Sequence, residues 1–173
     1  SSFWTKSYLT RIMNPNIGMK IIYALIIATL FIGSSSGQRA NREALIHQFT
    51  EAAGAGDLTQ VRSLLANLGD PNVEPKSHKG WTPLMAAVTS GRGAVVEYLI
   101  ANGASLDVTL DDGRTVLIQA AQSNNYHQTL QALLNAGVKV NVQTKDGLSA
   151  LMRFAWMGHR DGVRLLLAAG ADP

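Results

Sequence analysis

The chain contains no cysteine, and that absence removes disulfides, thiolate metal sites and thiol nucleophiles together. Aromatic residues make up 6% of the sequence and charged residues 16%. No acidic residue precedes Glu43. Three of the 15 Lys and Arg residues, Lys6, Arg11 and Lys20, stand before residue 37, so the 12 that follow balance the 12 Asp and Glu. The formal charge of +3 therefore belongs to the front segment. A neutral remainder without a basic stripe has little to drive binding to a phosphate backbone, which argues against a nucleic-acid partner. The sequence also lacks a glycine-rich phosphate loop and a His-Glu-x-x-His metal motif, so neither a cofactor nor a metal is expected.

What is present is repetition. Thr82-Pro83-Leu84-Met85-Ala86-Ala87, followed by Gly91, Val95-Val96, Leu99-Ile100 and Gly103-Ala104, recurs in imperfect copies. Gly80, Gly113 and Gly147 mark the same point at spacings of 33 and 34 residues. A fixed period of this length signals stacked supersecondary units. In each copy a hydroxyl (Thr82, Thr115, Ser149) stands where a helix N-terminus needs a cap, and Pro83 fits the first helical position. Gly56, Gly91, Asn124 and Gly158 are expected to stop the first helix in the left-handed conformation. The second helix carries Val61/Leu64-Leu65, Val95-Val96/Leu99-Ile100, Leu130/Leu133-Leu134 and Val163/Leu166-Leu167, one buried stripe per helix.

These residues resemble the ankyrin repeat over roughly residues 42 to 173. The resemblance implies an all-α stack of helix-turn-helix units with short hairpin loops, in repeats of about 42–78, 79–111, 112–145 and 146–173. Where that family has His after Pro-Leu, this chain has Met85, Ile118 and Met152, so apolar packing must replace the bonds the His makes. The resemblance further implies a non-catalytic module that grips a protein partner on its concave side, through hairpin tips and first helices. In this register those positions include Trp81 and Arg114 at the tips, and Gln119, Gln122, Arg153, Trp156 and Met157 on the first helices. The alternative for Trp156 and Met157 is packing against a further repeat. Val163, Leu166, Leu167, Trp156 and Met157 would otherwise form an open apolar edge, so the natural protein is expected to continue with at least a capping helix.

The front of the chain is different material. Ile21 to Gly33 is an uninterrupted apolar run after Lys20, followed by Ser34-Ser35-Ser36-Gly37. A basic start, an apolar run and small residues after it describe a signal peptide over residues 13–37. Its rival is a retained membrane anchor, since no charge lies between Lys20 and Arg39. Membrane contact would then run through residues 21–33 alone. Residues 1–12 read as upstream sequence, with Met13 or Met19 as the natural start. Export and the absence of cysteine together suit a periplasmic or secreted protein. A membrane-anchored scaffold, or a regulatory part of a longer enzyme, are the competing readings. Within these residues the chemical candidates have plainer accounts. His159 occupies the position where the family has His after Gly, Asp111, Asp112 and Asp146 precede turn glycines, and His47, His78 and His127 share no spacing that suggests ligation.

Overall fold

The computed structural model describes residues 37–173. The segment 1–12, the apolar run 21–33 and nearly all of the expected signal segment lie outside the described residues. Residues 42–173 form one compact unit of four helix pairs. A helix over residues 37–55 (α1) pairs with α2 (Leu58–Leu68). Then come α3 (Pro83–Thr89) with α4 (Gly93–Ala101), and α5 (Val116–Ala120) with α6 (Tyr126–Asn135). The last pair is α7 (Ala150–Trp156) and α8 (Arg160–Ala168). First helices pack on first helices, α3 on α5 on α7, and second helices on second helices, α2 on α4 on α6 on α8.

The first helices begin where the hydroxyls stand. Thr82, Thr115 and Ser149 accept the N–H of Met85, Ile118 and Met152 at 3.3, 3.2 and 3.2 Å, satisfying donors a helix start leaves free. Ahead of each of the last two sits a tight hairpin, closed by Leu110 N–H to Arg114 O and Thr144 N–H to Leu148 O, both 3.0 Å. The loop before α3 has no such bridge; Gly80 N–H donates instead to the Glu74 carboxylate at 2.6 Å. Gly80 has φ +75°, and a Cβ there would meet the Thr109 carbonyl of the next loop. Glycine is needed at that point for both conformation and clearance.

The core is the set of stripes expected from the period. Val61, Val95, Val96, Leu99, Leu130 and Leu133 are buried, beside Leu84, Met85, Leu117 and Ile118 from the first helices. Each such side chain contributes about 1.5–3 kcal/mol relative to exposure. Met85 and Ile118 do pack as apolar replacements, fully buried, whereas Met152 is 51% exposed. Thr129 occupies a buried position equivalent to Val95, and its hydroxyl has no partner.

Two expectations are corrected. Asn124 is not left-handed, because no described residue other than glycine has positive φ. The third copy has an extra residue, and its turn is made by residues 121–125, with Ser123 Oγ accepting the Asn125 N–H at 3.1 Å. Leu166 does not belong to an open edge. It is fully buried against the preceding pair, while Leu167 is exposed.

The loops are joined by an asparagine clamp used twice. Asn72 donates to Gly103 O (3.2 Å) and accepts Ser105 N–H (2.7 Å). Asn141 treats Gly170 O and Asp172 N–H the same way, both at 3.0 Å. At the intervening position stands Asp107, which has no donor for Gly137 O and pairs with Lys139 at 3.0 Å instead. That pair is exposed and so worth little. Asp107→Asn is expected to complete the ladder and raise stability by about 1 kcal/mol, read as a higher urea midpoint at unchanged slope.

Candidate binding surface

The hairpin tips and first helices share one side of the stack, because each hairpin leads directly into its first helix. At the tips, Ser77, His78, Lys79, Trp81, Leu110, Asp111, Asp112 and Arg114 line a groove of about 380 Å³. Trp81 is half-buried with its ring against the core. Arg114 is half-buried too, and its guanidinium is committed twice, donating from Nε to Asp112 at 2.6 Å and from Nη1 to Gln119 at 3.3 Å. Lys145 reaches the Asp111 carbonyl of the neighbouring tip at 3.0 Å.

Gln119 is 2% exposed, which removes it from the surface where the register placed it. Its Oε1 accepts from Arg114 and from Gln122 Nε2. Asp112, Arg114, Gln119 and Gln122 thus form one chain of bonds tying a hairpin tip to the helix behind it. Of the expected contact residues, the structure brings Arg114, Gln119 and Gln122 together as a brace, with Gln122 half-exposed at its end.

The other group is on α7. Trp156 is 74% exposed and Met157 39%. The Arg153 guanidinium lies 4.6 Å from the centre of the Trp156 ring, a cation–π contact worth about 0.5–1 kcal/mol at an exposed site. In the second and third pairs the positions of Trp156 and Met157 are held by Thr89 and Ser90, then Gln122 and Ser123, all half-buried. A polar column therefore ends in a large aromatic and a thioether.

One cluster has no counterpart in the expectations. Tyr126, which opens α6, stacks on His127 at 4.2 Å, lies 4.3 Å from His159 and meets the Phe154 edge at 5.2 Å. Its hydroxyl accepts the Gly162 N–H at 3.3 Å. Phe154 stands where the inner copies have Ala87 and Ala120, and Gly162 where they have Val95 and Thr129; a Cβ on Gly162 would strike the Phe154 ring. Large and small have exchanged places across the pair, and Gly162 in an apolar column was the available signal. His159 is structural, its Nε2 lying 2.9 Å from the Ala121 carbonyl of the preceding pair. Among the described residues no group of three or more His, Asp or Glu is arranged to hold a metal. One Gly-x-Ser-x-Gly string occurs, Gly33 to Gly37; its central Ser35 lies outside the described residues.

Helix pairs that recur at a fixed period and stack on one another define a repeat protein. The profile for ankyrin repeats in three copies matches residues 24–110, 46–144 and 102–173, and the chain belongs to the ankyrin-repeat family. Units of that family mediate protein–protein interaction and are generally non-catalytic. Similar curated proteins include the mouse B-cell lymphoma 3 protein homolog, 36% identical over 62% of this chain and 24% of its own length. The putative ankyrin repeat protein YahD of Escherichia coli is 36% identical over 51% of this chain and 45% of its own length. Human SH3 and multiple ankyrin repeat domains protein 1 is 35% identical over 65% of this chain and 5% of its own length. The chain thus spans less than half the length of each of these relatives.

Burial disfavours the charged form of Asp112, but the bonds from the Arg114 backbone and side chain, with the guanidinium charge, outweigh it and hold the carboxyl below its ordinary 3.8. A carboxylate lowered on folding contributes above its unfolded value and loses that contribution as pH falls through the folded one. An NMR titration of the Asp112 carboxyl carbon is expected to have its midpoint below 3.8, returning toward that value in Arg114→Ala.

Proposed function

We propose that this chain is an exported, non-catalytic module that captures a protein partner on the concave side of its repeats, with Trp156, Met157 and Arg153 as the principal contact. The observation that carries this is Trp156, 74% exposed beneath a guanidinium, at a position that the inner repeats keep polar. Tryptophan and arginine are enriched among residues that dominate interface energy. The cation–π contact also restrains both side chains before a partner arrives, which lowers the ordering cost of binding. Trp81 and the half-exposed Gln122 are the further contact residues on the other repeats, and the Asp112–Arg114–Gln119–Gln122 brace ties one tip to the helix behind it. The partner is a protein of unassigned identity; a neutral repeat region gives no support to nucleic acid. Neither a cofactor nor a metal is invoked.

Export is supported by the apolar run Ile21 to Gly33 with its basic front and serine-rich end, and by a cysteine-free chain suited to an oxidising compartment. The absence of charge between Lys20 and Arg39 favours a second version, in which the run is retained and the repeats are held at a membrane surface. N-terminal sequencing of the cellular protein separates the two. A start at Gly37 in the periplasmic or secreted fraction is expected, whereas an intact front segment in the membrane fraction establishes the anchor.

The contact itself is tested by substitution. Trp156→Ala is expected to weaken capture of the native partner by about 2 kcal/mol, roughly thirty-fold, while stability stays within about 0.5 kcal/mol as for other exposed positions. Affinity from calorimetry and melting temperature from circular dichroism are the two measurements. Intact binding with a large drop in melting temperature would make Trp156 a packing residue and remove the patch.

A further inference from the structure

The residue that precedes the buried leucine of each second helix differs in size from pair to pair. Leu99, Leu133 and Leu166 are fully buried, and Tyr98, Ala132 and Leu165 stand directly before them. Tyr98 is half-buried against the core, and the Arg62 guanidinium of α2 lies 5.2 Å from the centre of its ring. An aromatic ring under a cation therefore closes the junction of α2 with α4. Leu165 is likewise half-buried against the core. Ala132 has only a methyl group to offer at the same position.

The space so left is a groove of about 490 Å³ between α4 and α6, within the range of about 300–1,000 Å³ found for sites that take ligands. Ile100, Ala101, Ala132 and Ala136 give it an apolar lining, and Glu97 and Gln128 stand on opposite walls. Gln128 donates from Nε2 to the Glu97 carboxylate at 3.1 Å, and its side chain lies over Gly93, where a Cβ would strike it. The walls are thus tied to each other before anything enters. Glu97 is exposed, and neither α4 nor α6 carries a lysine or arginine to oppose it. His127 of α6 is engaged elsewhere, stacked on Tyr126 with Asp161 at 3.9 Å.

We propose that the groove between α4 and α6 docks a partner segment presenting an aromatic side chain next to an arginine or lysine. The ring fills the space over Ala132 that Tyr98 fills one junction earlier, and the basic group pairs with Glu97. Burial of the ring supplies the affinity. The ion pair lies at an exposed rim, so it adds little strength and chiefly selects the sign of the partner's charge. The helix that carries Trp156, α7, contributes nothing to this groove, so the two surfaces are independent.

The probe is the dipeptide N-acetyl-tyrosyl-arginine amide, titrated into the whole chain and followed through its backbone amides by NMR. The amides of Ala101, Ala132 and Ala136 are expected to shift with a dissociation constant of about 1 mM, while those of α7 stay in place. The tyrosyl-glutamate analogue should bind about threefold more weakly, and Glu97→Gln should erase that difference. The alanyl-arginine analogue should shift none of these amides. Ala132→Tyr fills the groove from within and should abolish binding, with a melting temperature no lower than that of the unaltered chain as evidence of folding. Trp156→Ala should leave the titration as it was, which separates this surface from the contact on α7. Amides of Ala101, Ala132 and Ala136 that do not move, or equal affinity for the arginine and glutamate dipeptides, overturn the proposal. So does sedimentation showing that the chain dimerises and that Ala132→Tyr restores the monomer, since a second copy would then occupy the groove.

Discussion

Every helix pair in this protein has an apolar face that only its neighbour can cover, and the rest of the structure follows from that constraint. The helices of the last three pairs run to five to ten residues each, and such a pair buries too little to hold itself together. Met85 and Ile118 are fully enclosed because another first helix lies against each. The bonds between pairs are few, and they recur at fixed points: the asparagine clamps, the cap residues Arg92 and His159, and the tip contact from Lys145 to Asp111. They set register and spacing, while the aliphatic stripes supply most of the free energy.

Because the repeat is periodic, the features that obey the period were legible in the sequence. Thr82, Thr115 and Ser149 cap as their positions demand, and Val95, Leu99, Leu130 and Leu133 lie in the core as their spacing demands. What escaped was chemistry that departs from the period and is made good by a second departure elsewhere. Phe154 in a small-residue column is accommodated by Gly162 in an aliphatic column of the adjoining helix, with Tyr126 filling the space between. Neither substitution announces the other without coordinates. Asn124 failed as a helix stop for a similar reason, because one inserted residue gave the third turn another way to close. Gln119 was misplaced because register gives the side of a helix but not the depth; the Arg114 side chain folds over it and draws it inward.

The same comparison of equivalent positions separates residues that stack from residues that are presented. Stacking columns are buried in both inner copies and open only in the last: Leu84, Leu117 and Leu151, or Val88, Ala121 and Ala155. A second column is never closed: Thr89 and Gln122 are half-buried and Trp156 is exposed. Trp156 therefore belongs to a column that a neighbouring pair leaves partly open. Its size and aromatic character are a local property of the fourth copy, set on a backbone that the other copies determine.

That division bears on how such a surface achieves affinity. A loop that presents a tryptophan and an arginine must order both on binding, at about 0.5–1.5 kcal/mol for each immobilised side chain. Here α7 is held by the Ser149 cap and by Phe154 buried beneath it, and the Arg153 guanidinium already rests on the indole. Under the proposed function the ordering cost is met largely in folding, through the Ser149 cap and the buried Phe154. On that proposal, rigidity of the stack and affinity of the patch are one quantity seen from two faces. A substitution at Phe154 or Gly162, both buried, is expected to loosen the helix that carries Trp156.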